Sequence, residues 1–404
     1  MTVLRATLIA MSACAVVSDA ILIAFYPHFF ERRYGVTSAV HVGAYIAAIS
    51  VAVMCTLPLW ARVARRVETM RLLLVTQAAA GVLCALSWFA DSVAGFWALS
   101  LLMFMCKSSY LLMYPYLMRL EPAESHGHTI GLLSVVVHVG GVFGAVAGGA
   151  ALQHYGPAAC IGLMAAGDFA QMGLCAWLIR SGRVVRAGAD DAAAPVPRRP
   201  AELRRRILQL CALMMLIDFG AYLVRPFFSV HWEQLSGSHD QLVSGLVFAI
   251  PGVAALVALF VNQRARLKGG RLHDQVLANL LLGAAGLLLQ AAPHEAAVLI
   301  GRALYGWSLF QVIVKFEVML FRFSTPDAYA HDFSVFNFFQ NLGVLLSSFA
   351  AGALVQRYGT GITFVIGAAG FAITALLDRL LCGLDRIAAR PSEPTPALEA
   401  THAR

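Results

Sequence analysis

Twelve stretches of this 404-residue chain are long and apolar enough to cross a lipid bilayer, and that feature constrains its fold more than any other. They lie near 6–30, 40–60, 70–90, 94–118, 128–152, 158–180, 207–230, 242–262, 273–292, 296–321, 333–355 and 360–382. A helix needs about 20 apolar residues to cover the hydrocarbon core. Backbone polar groups find no water there, so each run must satisfy its own hydrogen bonds, which predicts an all-α membrane protein of 12 transmembrane helices. The first run is too long for a signal-peptide core, carries Asp19, and precedes eleven more, so it reads as a span. Charged residues make up 13% of the chain, against about 25% in soluble domains. A soluble enzyme, a nucleic-acid-binding module and a disordered regulator are all excluded by that shortage.

The formal net charge of +8 is explained by where the basic residues stand. Of the 30 Lys and Arg, twenty-three fall at the N-terminus, in the loops after even-numbered spans, or in the C-terminal tail. Three (Arg32, Arg33 and Arg357) fall on the other side, and four lie inside spans. The positive-inside rule then places both termini in the cytoplasm, with a bacterial inner (plasma) membrane as the expected location. No nucleic-acid partner is implied. Between spans 6 and 7, residues 181–206 are Ala/Pro-rich and charged, the composition of a flexible linker. The expected organisation is a six-helix half at 1–180, a cytoplasmic linker at 181–206, a second six-helix half at 207–382 and a tail at 383–404. No Cys/His spacing suggests a metal, no cofactor is implied, and no G-x-S-x-G, H-E-x-x-H or G-x-x-x-x-G-K-[ST] motif offers an enzyme's or an ATPase's apparatus.

The halves are related. In span 1, Asp19 precedes Pro27 by eight residues and Phe29 by ten; in span 7, Asp218 precedes Pro226 and Phe228 by the same steps. Span 5 carries Gly140, Gly149, Gln153, Tyr155 and Gly156, and span 11 carries Gly343, Gly352, Gln356, Tyr358 and Gly359, all at an offset of 203. The basic loop after span 2 (Arg62, Arg65, Arg66) is echoed after span 8 by Arg264, Arg266 and Lys268. Duplicated halves are the plan of many secondary transporters, whose substrate sites lie near the membrane midplane between the repeats.

On these features the chain resembles the major facilitator superfamily over essentially its full length. Span 5 is similar to that family's antiporter motif, with Gly131, Gly140, Gly144-Ala145 and Gly148-Gly149 in register and Ala145 where the family has proline. Glycines three and four apart also make a smooth groove for a neighbouring helix, so plain packing is the competing reading. The loop after span 2 keeps its basic residues but lacks the family's Asp and both its glycines. The resemblance implies two pseudo-symmetric six-helix bundles, a cavity lined by helices 1, 4, 7 and 10, alternating access and a monomer.

Eight ionisable residues lie within spans: Asp19, Lys107, Asp168, Asp218, Arg225, Arg302, Lys315 and Glu317. Such groups are costly in lipid and are functional candidates by default. All except Asp168 fall on helices the resemblance assigns to the cavity. Asp19 and Asp218, at repeat-related positions, are the candidate proton-coupling residues, because burial favours the neutral form of a carboxyl unless a cation stands close. A permanent ion pair with Lys107 or Arg225 is the competing reading. Lys107, Arg225 and Arg302, with Tyr26, Tyr110, Tyr114, Tyr222, Trp307 and Gln311, are the candidate substrate contacts. Lys315 and Glu317, Arg62, Arg65 and Arg66, and the span 5 glycines are candidates for gating. Asp168 is expected to find a partner within its own half.

The leading function is proton-coupled efflux of a small organic metabolite, siderophore- or drug-like, by alternating access. The alternatives are a proton-symport importer, including siderophore uptake, and a membrane sensor or scaffold that does not transport.

Overall fold

The computed structural model describes residues 2–120, 126–182, 184, 201–267, 275–325 and 328–382. Most of the expected linker (183 and 185–200), Lys268 and Arg271, and the tail 383–404 lie outside the described residues. Among the described residues the regular structure is entirely helical. The α-helices are α1 (Thr2–Ile23), α2 (Tyr26–Tyr34), α3 (Ala39–Val63), α4 (Thr69–Ser87), α5 (Val93–Lys107), α6 (Met113–Leu120), α7 (His126–His154) and α8 (Pro157–Arg180). They continue with α9 (Ala201–Val224), α10 (Phe228–Ser236), α11 (Gln241–Leu267), α12 (Val276–Gln290), α13 (Glu295–Phe323), α14 (Tyr329–Tyr358) and α15 (Gly361–Leu377).

Eleven segments among the described residues are long and apolar enough to span a bilayer, with α5–α6 and α9–α10 each counted as one. The expected ninth span differs. Helix α12 has 15 residues, and at about 1.5 Å rise per residue it reaches about 22 Å, short of a hydrocarbon core of about 30 Å. It stops at Gln290, just before Pro293, which has no N–H with which to continue the ladder. Among the described residues, eleven of the twelve expected spans are full length and the ninth is a short apolar helix.

Three expected spans are also broken, each at a proline. Pro27 and Pro226 cannot donate to the carbonyl four residues earlier, and the chain steps out of α1 at Ala24–Phe25 and out of α9 through a short 3-10 turn at Arg225–Phe227. A second 3-10 turn at Ser108–Leu112 separates α5 from α6, which carries Pro115 in its first turn.

The sequence repeat reappears as geometry. Gly35 ends α2 at φ 68° and Gly237 ends α10 at φ 66°; Gly156 follows α7 at φ 82° and Gly359 follows α14 at φ 80°. That left-handed backbone favours glycine at all four positions. The helix packing recurs as well: α1 packs on α7 and α8 as α9 packs on α14 and α15, and α4 packs on α5 and α8 as α12 packs on α13 and α15. Two long contacts join the halves, α3 with α14 and α7 with α11, and they too are repeat equivalents. Large apolar side chains such as Val75, Phe143, Phe260, Phe349 and Ile373 point outward, as lipid-facing positions do.

Candidate functional site

The site begins with a lysine that has no water to turn to. Lys107 ends α5 with its side chain 1% exposed. Its Nζ lies 2.6 Å from Asp168 Oδ1 on α8 and 2.9 Å from Asp19 Oδ1 on α1, and donates to Ser18 Oγ at 2.8 Å. Ser18 donates in turn to the Met164 carbonyl at 2.9 Å. Lys107, Asp168 and Asp19 differ in access: the Asp168 side chain is 0% exposed, whereas that of Asp19 is 31% exposed although it lies within a span. Asp19 is therefore the open member of a closed cluster. Tyr110 stands beside it, and Tyr222 of the second half faces both. The structure thus pairs Asp19 with Lys107, the competing reading of the sequence, and gives Asp168 its partner within the first half.

Across the interface, Asp218 of α9 is buried beside Gln340 and Arg225, and its Oδ2 has no hydrogen-bond partner. The Arg225 guanidinium lies 5.0 Å from the centre of the Tyr222 ring, in cation–π range. His138 of α7, which the sequence reading passed over, lies in the same region near Arg225, its ring 5.5 Å from that of Phe310. Its Nδ1 is 2.6 Å from the Ser134 carbonyl. A carbonyl only accepts, so Nδ1 carries the proton and Nε2 is left as the acceptor of the neutral ring. A histidine inside an apolar run was the available signal.

Other candidates are held by partners of their own, although Arg302 lies within electrostatic reach of Arg225. Arg302 is buried, with its guanidinium 3.9 Å from the Phe228 ring, and donates to the carbonyls of Val247 and Phe248. Pro251 inside α11 explains the first bond, because a proline cannot donate to the carbonyl of Val247. Gln311 exchanges hydrogen bonds with Asn262 at 2.8 and 3.3 Å, and Trp307 packs beside Ala255, Ala258 and Phe310. Tyr26 packs edge-on against Tyr45, 5.2 Å between ring centres, inside the first half.

Contacts between the halves close both ends. At the end carrying Gly35 and Gly237, His28 Nε2 meets Glu233 Oε2 at 3.0 Å and Ser229 donates to the Ala24 carbonyl at 2.6 Å across the halves, while Gln241, on the same half as Glu233, donates to its Oε1 at 2.7 Å. Glu233 lies beyond the seventh apolar run as read from sequence, so it escaped notice there. At the arginine-rich end, Tyr114 donates to Glu317 at 2.8 Å and stacks on Phe333 with ring centres 5.1 Å apart. Lys315 is half-buried on the same helix, and Arg62, Arg65 and Arg66 are exposed at the end of α3 and just beyond it. Tyr114→Phe removes a hydrogen bond to an acid but keeps the stack. It is expected to weaken closure of this end by about 1.5–3 kcal/mol, read as faster thiol labelling of a cysteine placed at Leu320, a buried position one turn beyond Glu317.

The span 5 glycines divide between these tasks. A Cβ on Gly144 would lie 2.7 Å from the Val17 carbonyl, and one on Gly148 would collide with that of Ile21, so both admit α1 within the first half. Gly140 meets Val16 of the same helix. Gly149 faces the Gln241 carbonyl across the halves, and Gly245 answers with a would-be Cβ 2.7 Å from the Ala145 carbonyl. Gly131 is the loose member, its nearest such contact being Leu259 at 4.0 Å.

Among the described residues no group of three or more His, Cys, Asp or Glu is placed to hold a metal. A family profile described as the Major Facilitator Superfamily matches residues 8–275. Multidrug resistance protein MdtG of Klebsiella pneumoniae (strain 342) is 24% identical over 278 residues, a match that covers 68% of this chain and 66% of that protein, just under two thirds of its length. Among solved structures, a bacterial homologue of the human lysosomal transporter Spinster, in an inward-facing and occupied conformation, superposes with a TM-score of 0.73 at 11% identity. That likeness covers 97% of this chain and 99% of the other. The human organic anion transporter MFSD10 (TETRAN) gives 0.70 at 15% identity, over 92% and 98%. The profile covers well over half of the sequence, and the chain belongs to the major facilitator superfamily: it is a multi-pass membrane protein of a transporter family rather than of an enzyme family.

Proposed function

We propose that this transporter couples movement of a small organic molecule to protons through the Asp19 carboxylate. The observation that carries the reading is the access of Asp19: it is the one member of the Lys107 cluster open to the interior, and contacts between the halves stand at both ends of the molecule. A carboxyl so placed gains or loses its proton according to which end is open. In this reading the eleven long spans and the short α12 form two pseudo-symmetric bundles, 1–180 and 207–382, joined by the linker 181–206, whose last residues, 201–206, already belong to α9. The arginine-rich end and both termini face the cytoplasm of a bacterial inner membrane, and the protein works as a monomer. Tyr110, Tyr222, Arg225 and His138 supply aromatic and polar contacts that suit an amphiphilic, siderophore- or drug-like substrate.

Two directions have separate support. Import by proton symport is favoured by the two carboxylates lying in different halves, since Asp218 can hold a proton while Asp19 meets the substrate. Efflux is favoured by the antiporter-like glycines, with proton and substrate competing for Asp19. Metabolite profiling of a deletion strain identifies the compound and the direction: a compound that builds up inside the cell indicates export, one that builds up in the medium indicates import. In right-side-out and inverted vesicles, Asp19→Asn is expected to reduce gradient-driven movement of that compound by about tenfold or more. Asp218→Asn does the same if import is correct. Movement that survives both substitutions and ignores an uncoupler refutes proton coupling.

A further inference from the structure

The ammonium of Lys107 serves two acids, and only one of them can leave. Its Nζ stands in ion-pair contact with Asp168 Oδ1 (2.6 Å) and Asp19 Oδ1 (2.9 Å), and donates a hydrogen bond to Ser18 Oγ (2.8 Å). With all three charged groups ionised, the cluster holds one negative charge in excess. Asp168 and Lys107 are sealed inside the first half, and an isolated charge there would be very costly, so each needs the other. Asp19, with its side chain 31% exposed, has another place to turn.

We propose that Asp168 is a positioning residue for the coupling step: it retains Lys107 in a permanent pair, so that Asp19 is free to exchange the ammonium for a proton. The inference rests on the function proposed above, which makes Asp19 the coupling group. In the step, a proton from water bonds to an Asp19 carboxylate oxygen and the contact to Lys107 is released. No bond in the Lys107–Asp168–Ser18 set breaks, and the cluster passes from a charge of minus one to zero. Were Lys107 paired to Asp19 alone, the same protonation would strand a bare ammonium in the interior, and the exchange would be opposed by the full cost of breaking a buried pair.

The remaining titratable groups around the cluster cannot take over from Asp168. They are Cys84 on α4, Tyr26 on α2, Tyr110 in the turn after α5, and Tyr222 on α9. Thiols and phenols are ordinarily neutral, so none replaces a carboxylate as counter-ion. A purely structural Asp168, pinning α8 to α5, would affect folding and leave the pH at which Asp19 exchanges its partner where it was.

The test is an infrared titration of the full chain in lipid, following the protonated-carboxyl band that Asp19→Asn removes. In Asp168→Asn that band is expected to appear at lower pH than in the unsubstituted protein, by about 1 unit or more, because Asp19 becomes the sole anion of Lys107. Asp168→Glu restores the midpoint. Lys107→Met/Asp168→Asn, with no cation left, moves it to higher pH. An unmoved midpoint in Asp168→Asn overturns the proposal; should that variant not fold, an unmoved midpoint in the double variant overturns it. Midpoints that move as stated while Asp19→Asn keeps gradient-driven transport refute the coupling function and leave the role of Asp168 standing. Unmoved midpoints with coupling lost in Asp19→Asn do the reverse.

Discussion

Lys107→Met is expected to lower the stability of the folded protein by about 3–5 kcal/mol, the usual cost of removing one partner from a buried ion pair. Asp168 would be left fully buried with no cation, and its Oδ2 already lacks a hydrogen-bond partner. Thermal unfolding in detergent–lipid micelles at several pH values checks both the size and the origin of the loss. The apolar interior tolerates the neutral carboxyl far better than the carboxylate. In the variant, therefore, stability relative to the unsubstituted protein is expected to recover as the pH falls and to worsen as it rises. Lys107→Met/Asp168→Asn removes both members and should lie within about 1 kcal/mol of the unsubstituted protein, as replaced buried pairs commonly do. A deficit in Lys107→Met that is the same at every pH, or one that Asp168→Asn fails to relieve, would show that packing rather than charge holds this corner together.

That cluster also marks how far the sequence could be read. The apolar runs, the duplicated Asp19/Asp218 register and the rarity of in-span charge were all visible in it, because length, spacing and composition are one-dimensional properties. Which charges meet was not, because it depends on the rotation of each helix about its axis. Asp168 was the exception to the cavity pattern and was expected to find a partner in its own half; only the packing of α1, α5 and α8 turns it onto the same ammonium as Asp19. Arg302 shows the opposite case. Its position on a lining helix suggested a substrate contact, but the carbonyl left free by Pro251 and the rings of Phe228 and Phe248 engage it. His28 and Glu233 are 205 residues apart and sit where apolar runs end, so no local pattern could join them.

Gly149→Ala is expected to leave the protein folded and to lower transport by about tenfold or more, by opposing the state in which the Gly35/Gly237 end is closed. Helix weakening cannot be the cause, because Ala is favoured over Gly inside a helix by about 1 kcal/mol. The obstacle is local and stiff. The added methyl would collide with the Gln241 carbonyl, a backbone atom of the other half that cannot swing aside as a side chain would. Gly148→Ala makes the matching collision with Ile21 inside the first half, so its loss should appear in folding and expression. Gly141→Ala, with nothing within 4 Å of the new methyl, is the control that should change neither. Closure is read with Ser229→Cys, a buried position whose hydroxyl bonds the Ala24 carbonyl across the halves. In a background lacking the native cysteines, Gly149→Ala should speed labelling of that thiol by a membrane-impermeant reagent, and Gly141→Ala should not. Equal labelling in the two would mean that the span 5 glycines serve helix packing alone, and that closure of this end depends on His28, Glu233 and Gln241 instead.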